Sequence, residues 1–106
     1  MKPEYLFVES LASYGSVPDR SILSSTLYND DRGKVLLFRF AAGQELSAHT
    51  APYPADIYFV SGEASLQLAD DRFEVTAGAF AHMPAKMQHA IQAKTEVVMI
   101  LTLFKA

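Results

Sequence analysis

Three histidines, His49, His82 and His89, are the side chains of this 106-residue sequence with the clearest capacity for chemistry. A neutral imidazole binds zinc, nickel and iron, and it also forms hydrogen bonds near neutral pH. The sequence contains no cysteine, so any metal must be held by His, Asp and Glu, and neither a disulfide nor a thiolate nucleophile can form. The serines lie in no nucleophile-elbow pattern, and no pair of carboxylates has a useful spacing for catalysis. The histidines are therefore the first candidates for a functional site.

The balance of charge excludes several classes of partner. Nine Lys and Arg against twelve Asp and Glu give a formal net charge of −3, and no basic cluster occurs. Nucleic acids and anionic membranes, which attract basic surfaces, are not expected partners. No stretch approaches the roughly 20 apolar residues of a membrane-spanning helix, and the first ten residues lack the apolar centre of a signal peptide. These observations predict a cytoplasmic protein.

Short apolar segments separated by turn residues predict an all-β fold in one domain, residues 1–106. Residues 29–33 and 70–72 contain residue types that tolerate tight hairpins and are predicted turns. Residues 3–8, PEYLFV, are predicted to form a first strand, at a sheet edge or across a subunit boundary. The apolar segments occupy residues 24–43, 55–78, 79–93 and 96–104.

The spacing of glycine, proline and histidine resembles the two sequence motifs of the cupins. The first motif, G-x5-H-x-H-x(3,4)-E-x6-G, is matched over residues 43–62 with His49 at its first histidine. The second, G-x5-P-x-G-x2-H-x3-N, is matched over residues 78–93 with Pro84 and His89 in place. The resemblance covers about half of the chain. It implies an antiparallel jelly-roll β-barrel whose two sheets enclose a small apolar pocket.

The sequence departs from these motifs at the positions that hold a metal in cupins. The resemblance implies a site of two histidines and a glutamate from the first motif and one histidine from the second. Here Ala51 replaces the second histidine and Ala55 replaces the glutamate. Asp56 follows Ala55, and because side chains alternate along a strand it is expected to face away from the pocket. In the second motif, Lys86 replaces glycine and Ala93 replaces asparagine.

Two alternatives follow for a metal. If His82 faces inward, a set of His49, His82 and His89 is chemically adequate for zinc, nickel, iron or manganese. If His82 faces outward, the pocket is expected to be free of metal, and this second outcome is favoured because nothing else replaces the missing carboxylate. Glu45 lies four residues before His49, so on an unbroken strand it shares the same face, although a bulge would change this.

Two functions remain open. The first is a small-molecule-binding protein with no cofactor, in which His49 and His89 are polar anchors in an apolar pocket. The second is a metal-dependent enzyme, such as a dioxygenase or an isomerase, that uses the three histidines; no residue is assigned a catalytic role. The alternative in either case is that His49 and His89 only line the pocket, with their ring nitrogens hydrogen-bonded to the protein or to water.

The expected ligand is small and partly apolar. Lys86 and two imidazoles that charge near pH 6.5 favour an anionic group at low pH. Tyr53 lies between two prolines at the expected barrel mouth, as a cap on the ligand or as loop packing. The apolar residues Ile57, Phe59, Met87 and Ile91 either form the wall of the pocket or belong to the hydrophobic core. The predicted pocket comprises His49, Tyr53, Ile57, Phe59, Met87, His89 and Ile91.

The apolar ends of the chain predict self-association. The stretches YLFV, residues 5–8, and EVVMILTLFKA, residues 96–106, offer more apolar strand than one small barrel needs to bury. An uncovered strand edge pairs readily with another chain. The expected assembly, which cupins resembling this one also adopt, is a homodimer.

Overall fold

Alternating apolar residues form nine β-strands in the computed structural model, which describes residues 5–105. Every pairing between them is antiparallel. The strands are β1 (Ile22–Asn29), β2 (Gly33–Phe40), β3 (Glu45–His49), β4 (Ala55–Ser61), β5 (Ala64–Leu68), β6 (Asp71–Val75), β7 (Phe80–Met83), β8 (His89–Ala93) and β9 (Val97–Phe104).

The strands form two sheets that face each other. One sheet has five strands in the order β1-β2-β9-β4-β7, and the other has four in the order β3-β8-β5-β6. From β3 onwards the chain passes repeatedly between the sheets, which is the connectivity of a jelly roll. The all-β jelly-roll architecture predicted from the sequence is confirmed. Within residues 5–105 no helix has the length and apolar character that crossing a membrane requires.

The core lies between the sheets and follows the alternation of side chains along each strand. In β4, Ala55, Ile57 and Phe59 are at most 1% exposed, whereas Asp56 and Tyr58 point to the outer face. The outward direction predicted for Asp56 is therefore correct. Burying one large apolar side chain stabilises a fold by about 1.5–3 kcal/mol, so these inner rows provide most of the driving force for closing the two sheets.

The N-terminal segment lies across the outer face of the five-stranded sheet. The Arg39 guanidinium donates hydrogen bonds to the backbone oxygens of Ala12 and Tyr14, at 2.9 and 3.0 Å. On the same face, Leu37 and Val98 are only 1% and 3% exposed although they point away from the core between the sheets. The segment thus anchors to this face beside two covered apolar side chains.

The first strand predicted at residues 3–8 is not found where it can be assessed. Residues 5–8 form no strand, and residues 3 and 4 lie outside the described part of the chain. Apolar composition alone favoured a strand there, but a strand needs a neighbour for its backbone hydrogen bonds. The predicted turn at 70–72 is displaced slightly, because Ala69 and Asp70 make the turn and Asp71 already begins β6.

Gly62 makes the corner at which the chain leaves one sheet for the other. It lies between β4 and β5 and has a φ of +93°, a conformation that L side chains rarely adopt. A Cβ at this position would lie 2.1 Å from the backbone oxygen of Glu96. The corner therefore requires glycine for both conformational and steric reasons.

Replacing Gly62 with alanine is expected to lower the free energy of unfolding by about 2–4 kcal/mol, because backbone strain and a backbone clash act together. Gly43→Ala is the matched control: its φ is +83°, but a Cβ there meets no atom within 4 Å. The control should lose only the conformational part, about 1–2 kcal/mol. Urea unfolding of both variants measures the difference, and equal losses would show that the clash at Glu96 relaxes.

Candidate functional site

A β-bulge in β3 turns His49 toward the space between the sheets. Leu46 pairs with Ile91 and His49 pairs with His89, so three steps along β3 match two along β8. Regular alternation would place His49 on the face opposite to Leu46, but the extra residue returns it to the inner side. His49 and His89 are therefore cross-strand partners; His89 is buried, whereas His49 is exposed.

The same bulge removes Glu45 from the histidine site. Glu45 pairs with Gln92, and both are exposed, whereas the next pair, Leu46 and Ile91, points inward. The expectation that Glu45 shares a face with His49 holds only for an unbroken strand, and the bulge breaks it. No carboxylate from this strand accompanies the two imidazoles.

The two rings of the histidine pair are held in the same tautomer. Their centroids are 4.1 Å apart and the ring planes are inclined at 56°. His49 Nδ1 lies 2.9 Å from the Ser47 carbonyl oxygen, and His89 Nδ1 lies 3.1 Å from the Met87 carbonyl oxygen. A carbonyl only accepts, so each Nδ1 carries the proton. When the rings are neutral, both Nε2 atoms keep a free lone pair and act as acceptors or metal ligands.

Burial favours the neutral form of His89. It is 4% exposed, and this burial lowers the pKa of its imidazole below the ordinary value of 6.5. The hydrogen bond to Met87 opposes the shift, and the charge of a protonated His49 adds to it. His89 is therefore less protonated at pH 6 than an ordinary histidine, which weakens the expectation that two imidazoles together attract an anion at that pH.

His82 is placed on the other side of the five-stranded sheet. It pairs with Asp56 across β7 and β4, and its Nδ1 lies 2.7 Å from an Asp56 carboxylate oxygen. The inner positions of these strands are held instead by Met83 and Ala55, which are 2% and 1% exposed. The structure thus brings His49 and His89 together but not His82. Within residues 5–105 no group of three or more His, Asp and Glu side chains is arranged to hold a metal.

The remaining predicted pocket residues are mostly core. Ile57, Phe59 and Ile91 are at most 1% exposed, and Met87 is half-buried against the same cluster. Tyr53 is 37% exposed in the loop between β3 and β4. Of these five residues, Phe59 lines an apolar cavity at the open edge of the two sheets.

That cavity is an apolar groove between β6 and β7, the terminal strands of the two sheets, and its volume is about 390 Å³. Leu68, on its wall, pairs with His89, so the groove begins one strand away from His89 and two strands away from His49. The alternation of apolar residues on β5 and β6 was visible in the sequence, but which strand edges stay open was not. The groove's apolar wall includes Phe59, Leu66, Leu68, Phe73, Phe80 and Ala81, and Glu74 and His82 also contact it.

The turn before β8 contains Lys86 at the position where the second motif has glycine. Lys86 has a φ of +69°, which explains the usual preference for glycine there. Its backbone N–H donates to the Ala51 carbonyl at 2.8 Å, joining this turn to the loop after β3. The bond links the two chain segments that lead to His49 and His89.

Zinc binding should depend on the two paired histidines and not on His82. Two imidazoles supply fewer ligands than the three or four that zinc usually takes from a protein, so metal-stripped protein without an affinity tag is expected to bind zinc more weakly than micromolar. His82→Ala should leave this affinity unchanged, and His89→Ala should lower it further. Isothermal titration calorimetry tests the three proteins. Sub-micromolar binding, or loss of binding in His82→Ala, would contradict the expectation.

Acidification should destabilise the protein through His89. Because its pKa is lower in the folded state than 6.5, the unfolded chain binds the proton more readily. The stability that depends on neutral His89 is fully present above pH 6.5 and is lost as the pH falls through the lowered pKa. Urea unfolding of wild type and His89→Gln on both sides of pH 6.5 measures this. Wild type should lose more stability than the variant, and equal losses would assign the effect to other groups.

Comparison with known proteins agrees with this architecture. The family model described as "Cupin domain" matches residues 36–104. A conserved protein of unknown function from Streptococcus pyogenes is 27% identical with a TM-score of 0.85, covering 98% of this chain and 91% of that chain. A cupin superfamily protein from Desulfitobacterium hafniense is 25% identical with a TM-score of 0.86, over all of both chains. An RmlC-like cupin from Desulfovibrio desulfuricans, 21% identical, covers 95% of this chain and 98% of that chain with a TM-score of 0.84.

No curated protein matches the sequence. The family model nevertheless covers well over half of the chain, including the strands that carry His49 and His89, and the solved structures share its fold over nearly its whole length. With its two facing antiparallel sheets and the cross-strand pair His49 and His89, the chain belongs to the cupin family.

Proposed function

We propose that this cupin binds a small, mainly apolar molecule in the groove between β6 and β7, with His49 and His89 accepting hydrogen bonds from a polar end of that molecule. The observation that carries the proposal is the open apolar groove, whose wall residue Leu68 is the cross-strand partner of His89, although His49 and His89 do not themselves line it. Its volume of about 390 Å³ lies within the usual range of small-ligand sites, about 300–1,000 Å³.

The walls of the groove suit an apolar ligand body. Phe73 and Phe80 stand on the two strands that border it and are 48% and 63% exposed, so a ligand between them would remove apolar surface from water. Aromatic side chains give large contact areas and few rotatable bonds, which favours ligand binding. Leu66 and Leu68 line the groove from the four-stranded sheet.

The tautomer of the histidine pair supports a ligand with a hydrogen-bond donor. Both Nδ1–H groups are occupied by backbone carbonyls, so only lone pairs remain on the Nε2 atoms. A hydroxyl or an amide N–H complements these lone pairs, whereas a carboxylate brings a third acceptor. Glu74, at the groove, adds further negative charge, although it is paired with Lys94. A neutral donor is therefore preferred here over the anionic group that the sequence alone suggested.

The alternative function, a metal-dependent enzyme using three histidines, has less support. A metal centre of the usual cupin kind does not fit this donor set, because Ala51 and Ala55 replace two ligands and His82 points to the outer face. An ion at the pair would have two imidazoles from the described residues. The proposed binding function involves no metal ion, so it needs no further metal-binding side chain.

Benzyl alcohol and benzoate are matched probes of this proposal because they share a phenyl group and differ in the polar end. Above pH 7 benzyl alcohol should bind the wild type about 2- to 10-fold more tightly than benzoate, as expected for one hydrogen bond. His89→Leu should remove this preference, and Phe73→Ala should weaken both probes. Tyr53→Ala, an exposed aromatic away from the groove, is the control and should change neither.

Nitrogen-15 NMR of the labelled protein detects the binding of these probes at the histidine ring nitrogens themselves. Benzyl alcohol should shift the Nε2 resonances of His49 and His89 together with amides along β5 and β6. Binding of neither probe, tighter binding of benzoate, or shifts confined to other surfaces would each overturn the proposed site.

A further inference from the structure

A histidine and an aspartate form a hydrogen-bonded pair on the outer face of the five-stranded sheet, away from the paired histidines. His82 on β7 and Asp56 on β4 are direct cross-strand partners, and His82 Nδ1 lies 2.7 Å from an Asp56 carboxylate oxygen. The other two histidine rings bond to backbone carbonyls instead. We call His82 and Asp56 the dyad. Because directly opposed side chains on neighbouring strands lie close together, the sheet register itself sets the geometry of the dyad.

The carboxylate of Asp56 fixes the tautomer of His82. An ionised carboxylate only accepts hydrogen bonds, so the proton of a neutral His82 ring lies on Nδ1, and Nε2 keeps the lone pair. A carboxylate in this position also stabilises the imidazolium that forms when Nε2 takes up a proton. A histidine held in this way has the arrangement of a general base.

His82 is within reach of a molecule in the apolar groove. It lines the groove together with Phe73, Phe80 and Ala81, and it is the one histidine among the lining residues. Strand β7 ends its sheet, so side chains on the outer face of this strand border the opening of the groove. The His82 side chain is 57% exposed and that of Asp56 is 26% exposed. The ring is thus more accessible than the carboxylate that holds it.

Glu74 is the other ionisable side chain at the groove, and its hydrogen bonds distinguish it from His82. It lies on β6, across the groove from β7. Its two carboxylate oxygens accept hydrogen bonds from Lys94 Nζ and from the Ser65 hydroxyl. Within residues 5–105, by contrast, His82 is bonded only through Nδ1. The base with a free lone pair at the groove is therefore His82.

We propose that the dyad is a proton-transfer site for a small, apolar molecule that carries a weakly acidic C–H group and binds in the groove. His82 Nε2 removes the proton, and Asp56 orients the ring and stabilises its charged form. The C–H bond breaks, an N–H bond forms at Nε2, and the electron pair stays on the substrate. Return of the proton to another atom of the substrate restores the neutral ring, so the overall reaction is an isomerisation that consumes no oxidant or reductant.

This inference rests on the proposed binding of an apolar molecule in the groove, but it does not involve His49 or His89. The dyad lies on the opposite side of the five-stranded sheet from the inner row that holds Ala55 and Met83. A positioned general base typically accelerates a reaction by about 10²–10⁴-fold, and interactions of the charged ring with Asp56 strengthen when a ligand excludes water. The expected activity is therefore measurable without any metal.

The compound 5-nitrobenzisoxazole tests the base directly, because it is apolar and its conversion requires only removal of a proton. When a base takes the ring C–H proton, the N–O bond breaks and a coloured cyanophenolate forms. Wild type should show saturation kinetics, and His82→Ala should lower kcat at least about tenfold with little change in KM. Asp56→Asn keeps the size of the side chain but removes its charge, and it should also lower kcat at constant KM. Glu45→Gln makes the same chemical change outside the groove and should leave both constants unchanged.

The unreactive analogue 5-nitroindazole separates binding from proton transfer, because it has a similar shape but no N–O bond. It should bind wild type and His82→Ala equally, and Phe73→Ala should weaken its binding and raise KM for the reactive compound. If the analogue binds but wild type reacts no faster than His82→Ala, the dyad is not a base, although the groove still binds ligands. If neither compound binds, the proposed binding function fails as well. Full activity in Asp56→Asn would overturn the role given to the carboxylate.

Discussion

The alternation of side chains along antiparallel strands is the constraint on which the rest of this structure depends. Shifting a strand by one residue exchanges its buried and exposed sets, so each strand tolerates one register only. On β8 that register places His89 in the same inner row as Ile91 and Ala93. The histidine site is therefore fixed by the same packing that forms the core, and its position does not depend on a bound ligand.

His89 shows how a polar group persists in this interior. A buried nitrogen without a partner costs about 1–3 kcal/mol. His89 avoids this cost by donating to the Met87 carbonyl, two residues earlier in its own chain, and His49 donates to Ser47 in the same way. Among the described residues, every buried side-chain nitrogen and oxygen has a hydrogen-bond partner. Ala51 and Ala55 stand where the cupin motif has a histidine and a glutamate, and these replacements leave no buried side-chain nitrogen or oxygen without a hydrogen-bond partner among the described residues.

Local sequence patterns predicted much of the fold and part of the site. Motif spacing placed His49 and His89 together, and strand parity placed Asp56 on the outer face, because both depend on regular alternation. Parity places Glu45 on the face of His49 only for an unbroken strand, and whether a bulge interrupts the strand depends on long-range pairing with β8.

Other features depend on which strands become neighbours. The direction of His82 follows from the pairing of β7 with β4, twenty-six residues apart in sequence at the Asp56 contact. The groove exists because β6 and β7 end their sheets, and residues 5–8 lack strand structure although their composition favours it. The elements that become neighbours are separated in the sequence, so a short stretch of sequence does not show which of them will pair.

Strand β7 contributes to two surfaces with only four residues. Phe80 and His82 contact the groove and also stand on the outer face, while Ala81 and Met83 point into the core. A change at either surface therefore acts on the same short strand. Thermodynamic linkage makes any such effect reciprocal: an event at the outer face that raises the affinity of the groove for a ligand by a given factor is itself favoured by that ligand by the same factor. The small size of β7 thus makes it the element through which the groove and the outer face would be coupled.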